Sequence, residues 1–194
     1  MKKLIIALSV ASLASGCATS PVGGSKAAQE PVAKTAKVAD AVALNNDDLY
    51  VAYVDGRENI FYDLHEYKSF LEVGESTFRK TYIGAGTNGM TRSYALTKAD
   101  KKKPTNPAEQ MLKGEMAPAA DFYGEVYNEE KNRFYVFGNW KDFTDYLATG
   151  VDTYHYSEIG AGPKGATVVY VLNKSNNKKK PEATVQRFKA NHAN

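Results

Sequence analysis

Ile83-Gly84-Ala85-Gly86-Thr87-Asn88-Gly89 returns 76 residues further on as Ile159-Gly160-Ala161-Gly162-Pro163-Lys164-Gly165. The match continues past the glycines: between residues 83–98 and 159–174, nine of sixteen positions are identical, ending in Tyr94/Tyr170, Leu96/Leu172 and Lys98/Lys174. With a three-residue gap the correspondence also runs upstream. Tyr50 then matches Tyr123, Phe61-Tyr62 matches Phe134-Tyr135, and Lys68-Ser69-Phe70 matches Lys141-Asp142-Phe143. Each stretch ends in Lys-Lys-Lys-Pro, at Pro104 and Pro181. Self-similarity of this kind, in one order along the chain, reads as a duplicated structural unit.

Within the first unit, residues 49–54 and 58–62 are β-rich and flank Asp55-Gly56, a dipeptide suited to a tight hairpin turn. Asp63 followed by Glu66 is a helix-start pattern, Leu64, Tyr67, Phe70 and Leu71 form one apolar stripe, and Gly74 stops the helix. Residues 78–85 and 90–97 are two further strands on either side of the glycines. The second unit repeats the order with strands at 122–127 and 133–137, a helix at 139–149, and strands at 154–161 and 166–173. On the gapped match this second helix begins about one turn later and runs three residues longer. Amphipathic tails follow at 108–116 and 182–189. The expected fold is therefore α+β: a tandem duplication of a ββαββ module, with antiparallel sheets and one short helix per module. A four-stranded sheet with one helix is small for independent stability, so the two modules, 48–117 and 118–194, are expected to pack together.

Both glycine stretches spell G-x-G-x-x-G. In a dinucleotide-binding fold such glycines open a helix that faces pyrophosphate. Here the residues that follow, MTRSYALT and ATVVYVLN, are strand-like. The six glycines Gly84, Gly86, Gly89, Gly160, Gly162 and Gly165 are instead expected to shape hairpin loops, where a positive φ or a close backbone approach is needed. No nucleotide or other cofactor is implied.

The remaining chemistry is sparse. His65, His155 and His192 have no metal-ligand spacing. No Ser lies in a nucleophile-elbow context. Carboxylates such as Glu129, Glu130, Asp142 and Asp145 are numerous, and a glycosidase would need two of them facing each other across a cleft. Lys101, Lys102 and Lys103, with Lys178, Lys179 and Lys180, form two basic spots able to contact anionic groups, although charge runs are most often solvated connections. Tyrosines crowd the strands, and outward-facing rows of them would suit glycan stacking or protein contact. No metal site is expected.

The amino terminus carries an address. Lys2 and Lys3 precede a short apolar stretch at residues 4–13, and Ala14-Ser15-Gly16 leads into Cys17, the only cysteine of the 194 residues. The apolar stretch is shorter than the roughly 20 residues a membrane-spanning helix needs, so residues 1–16 read as a removable export signal. The sequence Leu13-Ala14-Ser15-Gly16-Cys17 resembles the lipobox of bacterial lipoprotein precursors. That family prefers a larger aliphatic residue where Ala14 stands, and Leu13 lies one place early. The resemblance implies cleavage before Cys17 and lipidation of its thiol and new amine, and Ala18 after it implies the outer membrane. Several acyl chains hold a protein stably where one does not.

Removing residues 1–16 lowers the net charge from +3 to +1, too little for a nucleic-acid footprint. Residues 18–47 are rich in Ala, Ser, Gly, Pro and Lys and lack aromatics, so they read as a flexible tether with a reach of about 30 Å. The functional expectation is a membrane-anchored envelope lipoprotein with a non-catalytic binding or structural role towards an envelope protein or glycan. Two alternatives are an envelope hydrolase with a carboxylate pair in the groove between modules, and an inhibitor or immunity-type protein.

Overall fold

Asp55 and Gly56 both take positive φ, 52° and 66°, which gives the turn a twist matching that of the strands it joins. They connect β1 (Asp48–Val54) to β2 (Arg57–Phe61) in an antiparallel pair. This is the start of a computed structural model that describes residues 48–193. The expected export signal 1–16, Cys17 and the expected tether 18–47 lie outside the described residues.

Asp63 caps α1 (Leu64–Val73) by accepting the Glu66 amide at 2.9 Å, and Gly74 closes it at φ 84° with its amide on the Phe70 carbonyl. β3 (Arg79–Tyr82) and β4 (Thr91–Ala95) then pair antiparallel across the first glycine loop, and α2 (Pro107–Leu112) follows. The order repeats as β5 (Tyr123–Asn128), β6 (Arg133–Phe137), α3 (Trp140–Thr149), β7 (Tyr154–Glu158), β8 (Thr167–Leu172) and α4 (Glu182–Asn191). Asn139 and Gly150 cap α3 as Asp63 and Gly74 cap α1.

All eight strands form one mixed sheet in the order β3-β4-β2-β1-β5-β6-β8-β7. The fold is α+β, but the expected antiparallel sheets are corrected. β4 lies beside β2, β8 beside β6 and β5 beside β1, all three parallel. Each half joins two antiparallel pairs through their second strands, which run the same way.

The three-residue gap is also corrected. Arg57 faces Thr91 and Tyr82 faces Arg92 in the first half; Arg133 faces Thr167 and Glu158 faces Val168 in the second. Every one of these positions is displaced by 76 residues. α1 and α3 have ten residues each and the same displacement, so the second helix is neither later nor longer. The gapped match followed aromatic and lysine identities instead of strand register. The length difference lies in the hairpin turns, two residues (Asp55-Gly56) against four at 129–132.

Alternation along the strands feeds two cores. Leu49, Val51, Ile60, Val126, Tyr135 and Val169 face α2 and α3, where Met111, Phe143 and Tyr146 are buried. Tyr50, Ala52, Phe61, Phe134, Val168 and Tyr170 face α1 and α4, where Tyr67, Phe70, Val185 and Phe188 are buried. Each fully buried apolar side chain contributes about 1.5–3 kcal/mol, so both faces are needed. None of the helices among the described residues is long and apolar enough to cross a membrane.

Candidate functional site

Strand direction sorts the loops into two ends. Asp55-Gly56, residues 129–132 and both glycine loops lie at one end, here the loop end. Asp48 enters at the other, where β4 and β8 also finish.

At the loop end, on the α2/α3 face, register aligns a row of mostly polar side chains across seven strands. Tyr82 faces Arg92, Arg92 faces Glu58, Glu58 faces Tyr53, Tyr53 faces Asn128, Asn128 faces Arg133, and Arg133 faces Thr167. One row further in, Tyr94, Ile60, Val51, Val126, Tyr135 and Val169 form the core of the same face. The polar row is thus the rim where that core meets water.

Glu58 anchors this row. Its side chain has no exposed surface, and it accepts from Arg92 Nε at 2.7 Å, the Thr87 amide at 3.3 Å, Thr87 Oγ1 at 3.4 Å and the Tyr53 hydroxyl at 3.3 Å. A buried carboxylate without partners would be costly, whereas here four hydrogen bonds, one of them from a guanidinium, engage both of its oxygens. Burial, and next the charge of Glu58, push the Tyr53 phenol up to about 12. The first glycine loop closes over Glu58 because Gly86 has no side chain: a Cβ there would stand 2.7 Å from Glu58 Oε2 and 2.9 Å from the Met90 carbonyl.

Beside Glu58, over the seam where Tyr53 meets Asn128, lies a cavity of about 530 Å³. Asn88 and Met90 of the glycine loop, the Asp55-Gly56 turn and Glu129, Glu130 and Lys131 of the other turn wall it. The Glu129 amide donates to the Tyr53 carbonyl, and the Lys131 amide to Asn128 Oδ1 at 2.9 Å. The 129–132 turn is therefore tied to the cavity floor, and the Asp55 amide donates to Glu129 Oε2 at 3.4 Å. The size falls in the range of small-ligand sites.

The second half has a similar arrangement without this chemistry. Displaced by 76, Glu58 becomes Phe134, Arg92 becomes Val168 and Thr87 becomes Pro163. Gly162 accordingly packs on Phe134 and Val168, 3.2 Å from a notional Cβ. Gly84, Gly89, Gly160 and Gly165 have φ between 70° and 76° and form the loop bends.

A cavity of about 540 Å³ at the entry end, between α3 and β7–β8, is lined by Asp142, Val151, Tyr154, Leu172 and Lys174 among others. A smaller one occupies the matching place in the first half, beside Phe78, Leu96 and Lys101. Its recurrence marks it as a product of the architecture. Asp142 there is taken up by Asn139 and Asn173, and Asp145 by Lys141.

The lysine spots are not brought together. They follow β4 and β8, about 24 Å apart at ordinary strand spacing. Lys101 sits over the Phe78 ring, Lys103 pairs with Asp100, and Lys180 is drawn to Glu158 and Tyr156. Lys102, Lys178 and Lys179 make no ion pair among the described residues. Nor does an exposed tyrosine row form among the described residues: Tyr50, Tyr62, Tyr94, Tyr123, Tyr135 and Tyr170 are buried. Trp140 packs on Phe122 and Phe143.

Sequence reasoning missed a second buried carboxylate. Glu125 accepts from the Tyr123 hydroxyl and meets His192 Nε2 at 2.9 Å, with His192 only 7% exposed beneath Phe134 and Phe188. Together with Arg187 on Asp48, this pair fastens α4 to the sheet. His155 pairs with Asp152, and His65 is exposed on α1. No group of three or more His, Cys, Asp or Glu among the described residues could hold a metal ion.

Fold and site together define an eight-stranded α+β protein with one polar site at the loop end of its sheet. Comparison with known proteins finds no matching family model, curated protein or solved structure.

Proposed function

We propose that the chain is a lipid-anchored bacterial envelope protein, held at the outer membrane through Cys17, with a non-catalytic binding role towards an envelope glycan or protein. Its body is a tandem duplication of a ββαββ module in which the first copy alone keeps a polar site. The constant displacement of 76 residues in strand register and helix caps supports the duplication. One observation carries the function. At the loop end, Glu58 is gathered with Arg92, Thr87 and Tyr53 beside a cavity of about 530 Å³ walled by both hairpin turns and the first glycine loop. Binding is favoured over hydrolysis because Glu58, the buried carboxylate of the site, is fully engaged by Arg92, Thr87 and Tyr53. Asp55, Glu129 and Glu130 around it are exposed to solvent.

Two measurements test this reading. A clickable fatty acid fed to cells is expected to label the wild type and not Cys17→Ala; equal labelling overturns the anchor. A photo-crosslinking residue placed at Ile83 or Ile159, 91% and 89% exposed on the two glycine loops, is expected to give discrete adducts in intact envelopes. The same residue at His65 is expected to give none. Adducts of equal yield at all three positions, or at none, overturn the loop-end binding surface.

A further inference from the structure

We infer that the cavity over the Tyr53–Asn128 seam is a subsite for a neutral, hydroxyl-rich glycan chain, which continues outward along Arg133 and Thr167. This rests on the binding reading above and gives it a ligand class.

Charge argues for a neutral ligand. Along this end of the sheet the signs are interleaved: Arg92 against Glu58, then Glu129 and Glu130, then Lys131 and Arg133. An anionic chain would meet Asp55, Glu129 and Glu130, and a cationic chain would meet Lys131 and Arg133 as it left the cavity. A ligand without net charge but with many hydroxyls meets donors and acceptors at every step.

The groups are also fixed in place. Tyr53 is held through its hydroxyl by Glu58 and Thr87. Asn128 accepts the Lys131 amide on its Oδ1 and leaves its amide hydrogens for a ligand. Held side chains lose little freedom on binding, which conserves affinity for weak polar contacts. The row from Tyr82 to Thr167 spans about 29 Å at ordinary strand spacing, and the glycine loop covers it at Glu58. The open direction is therefore from Tyr53 and Asn128 towards Arg133 and Thr167.

Full-length protein in detergent micelles is titrated with chitohexaose, cellohexaose and maltohexaose as neutral probes. Chitosan hexamer is the cationic probe and hexagalacturonate the anionic one. At least one neutral hexamer is expected to bind more tightly than either charged probe. Asn128→Asp keeps the acceptor that caps the turn but removes the amide donors, and is expected to weaken binding at least tenfold. Arg133→Ala, at an exposed position, is expected to weaken the binding neutral hexamer several-fold and to leave the affinity for the disaccharide of the same sugar unchanged. His65→Ala, on the opposite face, is expected to match the wild type. Preference for a charged hexamer, no binding of any neutral hexamer, or equal affinity in Asn128→Asp overturns the inference. Fatty-acid labelling and discrete adducts at Ile83 in the same preparations would then still uphold the anchored binding protein, with a protein as partner.

Discussion

Glu109 lies in the first turn of α2, where it is buried to 8% exposure and bonded to Lys80 at 3.0 Å, Lys113 at 2.8 Å and Tyr82 at 2.9 Å. Burial alone would raise its pKa, but these three donors outweigh it and bring the carboxyl from 4.5 down to about 2. A pKa depressed in the folded state means stability that is complete above the unfolded value and lost as pH falls through the folded one. Asp100, bonded to Lys103, Tyr62 and Thr97, is lowered in the same sense. Glu109→Gln is therefore expected to melt about 2–4 °C below the wild type at pH 6, with the difference shrinking between pH 4.5 and pH 2 until the curves meet. A difference that stays constant down to pH 2 would assign the loss to packing instead. Glu58 and Glu125 were invisible to sequence reasoning for one physical reason. Their partners, Tyr53, Thr87 and Arg92 for one and His192 for the other, converge only after strands far apart in the chain have paired.

The two glycine loops are one element built over two different floors, so the same substitution should act unequally on them. At Gly86 an added methyl meets a carboxylate oxygen and a backbone carbonyl, both under 3.0 Å; at Gly162 the nearest atom is a carbonyl at 3.1 Å. Gly86→Ala is expected to cost about 1–3 kcal/mol and to loosen the Glu58 network, whereas Gly162→Ala is expected to cost less. Denaturant unfolding of both variants checks the order; equal or inverted losses would mean that the first loop can shift off Glu58. What was legible from the chain alone was local in the same sense. Asp55-Gly56, the Asp63 cap, the Gly74 and Gly150 stops and the strand-like residues after each glycine loop are decided within a few positions, and they lie close to where the patterns put them. Strand partners are decided by hairpins meeting at a distance. The parallel β2–β4 and β6–β8 contacts, and the single sheet, therefore had no signature in periodicity.

The whole body behaves as one folding unit on this topology, although it is built from two similar halves. β1 and β5 pair along Asp48 to Tyr53, so neither half keeps its central strand covered without the other. The helices cross-brace the seam: α4 from the second half reaches Asp48 through Arg187, and Lys164 reaches the Leu71 carbonyl on α1. Each face also combines a helix from each half, α2 with α3 and α1 with α4. A chain of residues 48–117 would expose Tyr50, Val51 and Ala52 on a new edge strand, lose α3 and α4 from its two faces, and leave Asp48 without Arg187. Its remaining four strands and two short helices fall below the size at which one core is self-supporting. An exposed apolar edge of this kind also templates aggregation. The body is therefore expected to unfold in one cooperative transition, with far-ultraviolet and near-ultraviolet circular dichroism coincident in denaturant. The 48–117 fragment is expected to be unfolded or aggregated at the same temperature. Two separated transitions, or a monomeric 48–117 fragment with its own sigmoidal melt, would mean that the halves are independent domains and that the β1–β5 seam is only a docking contact.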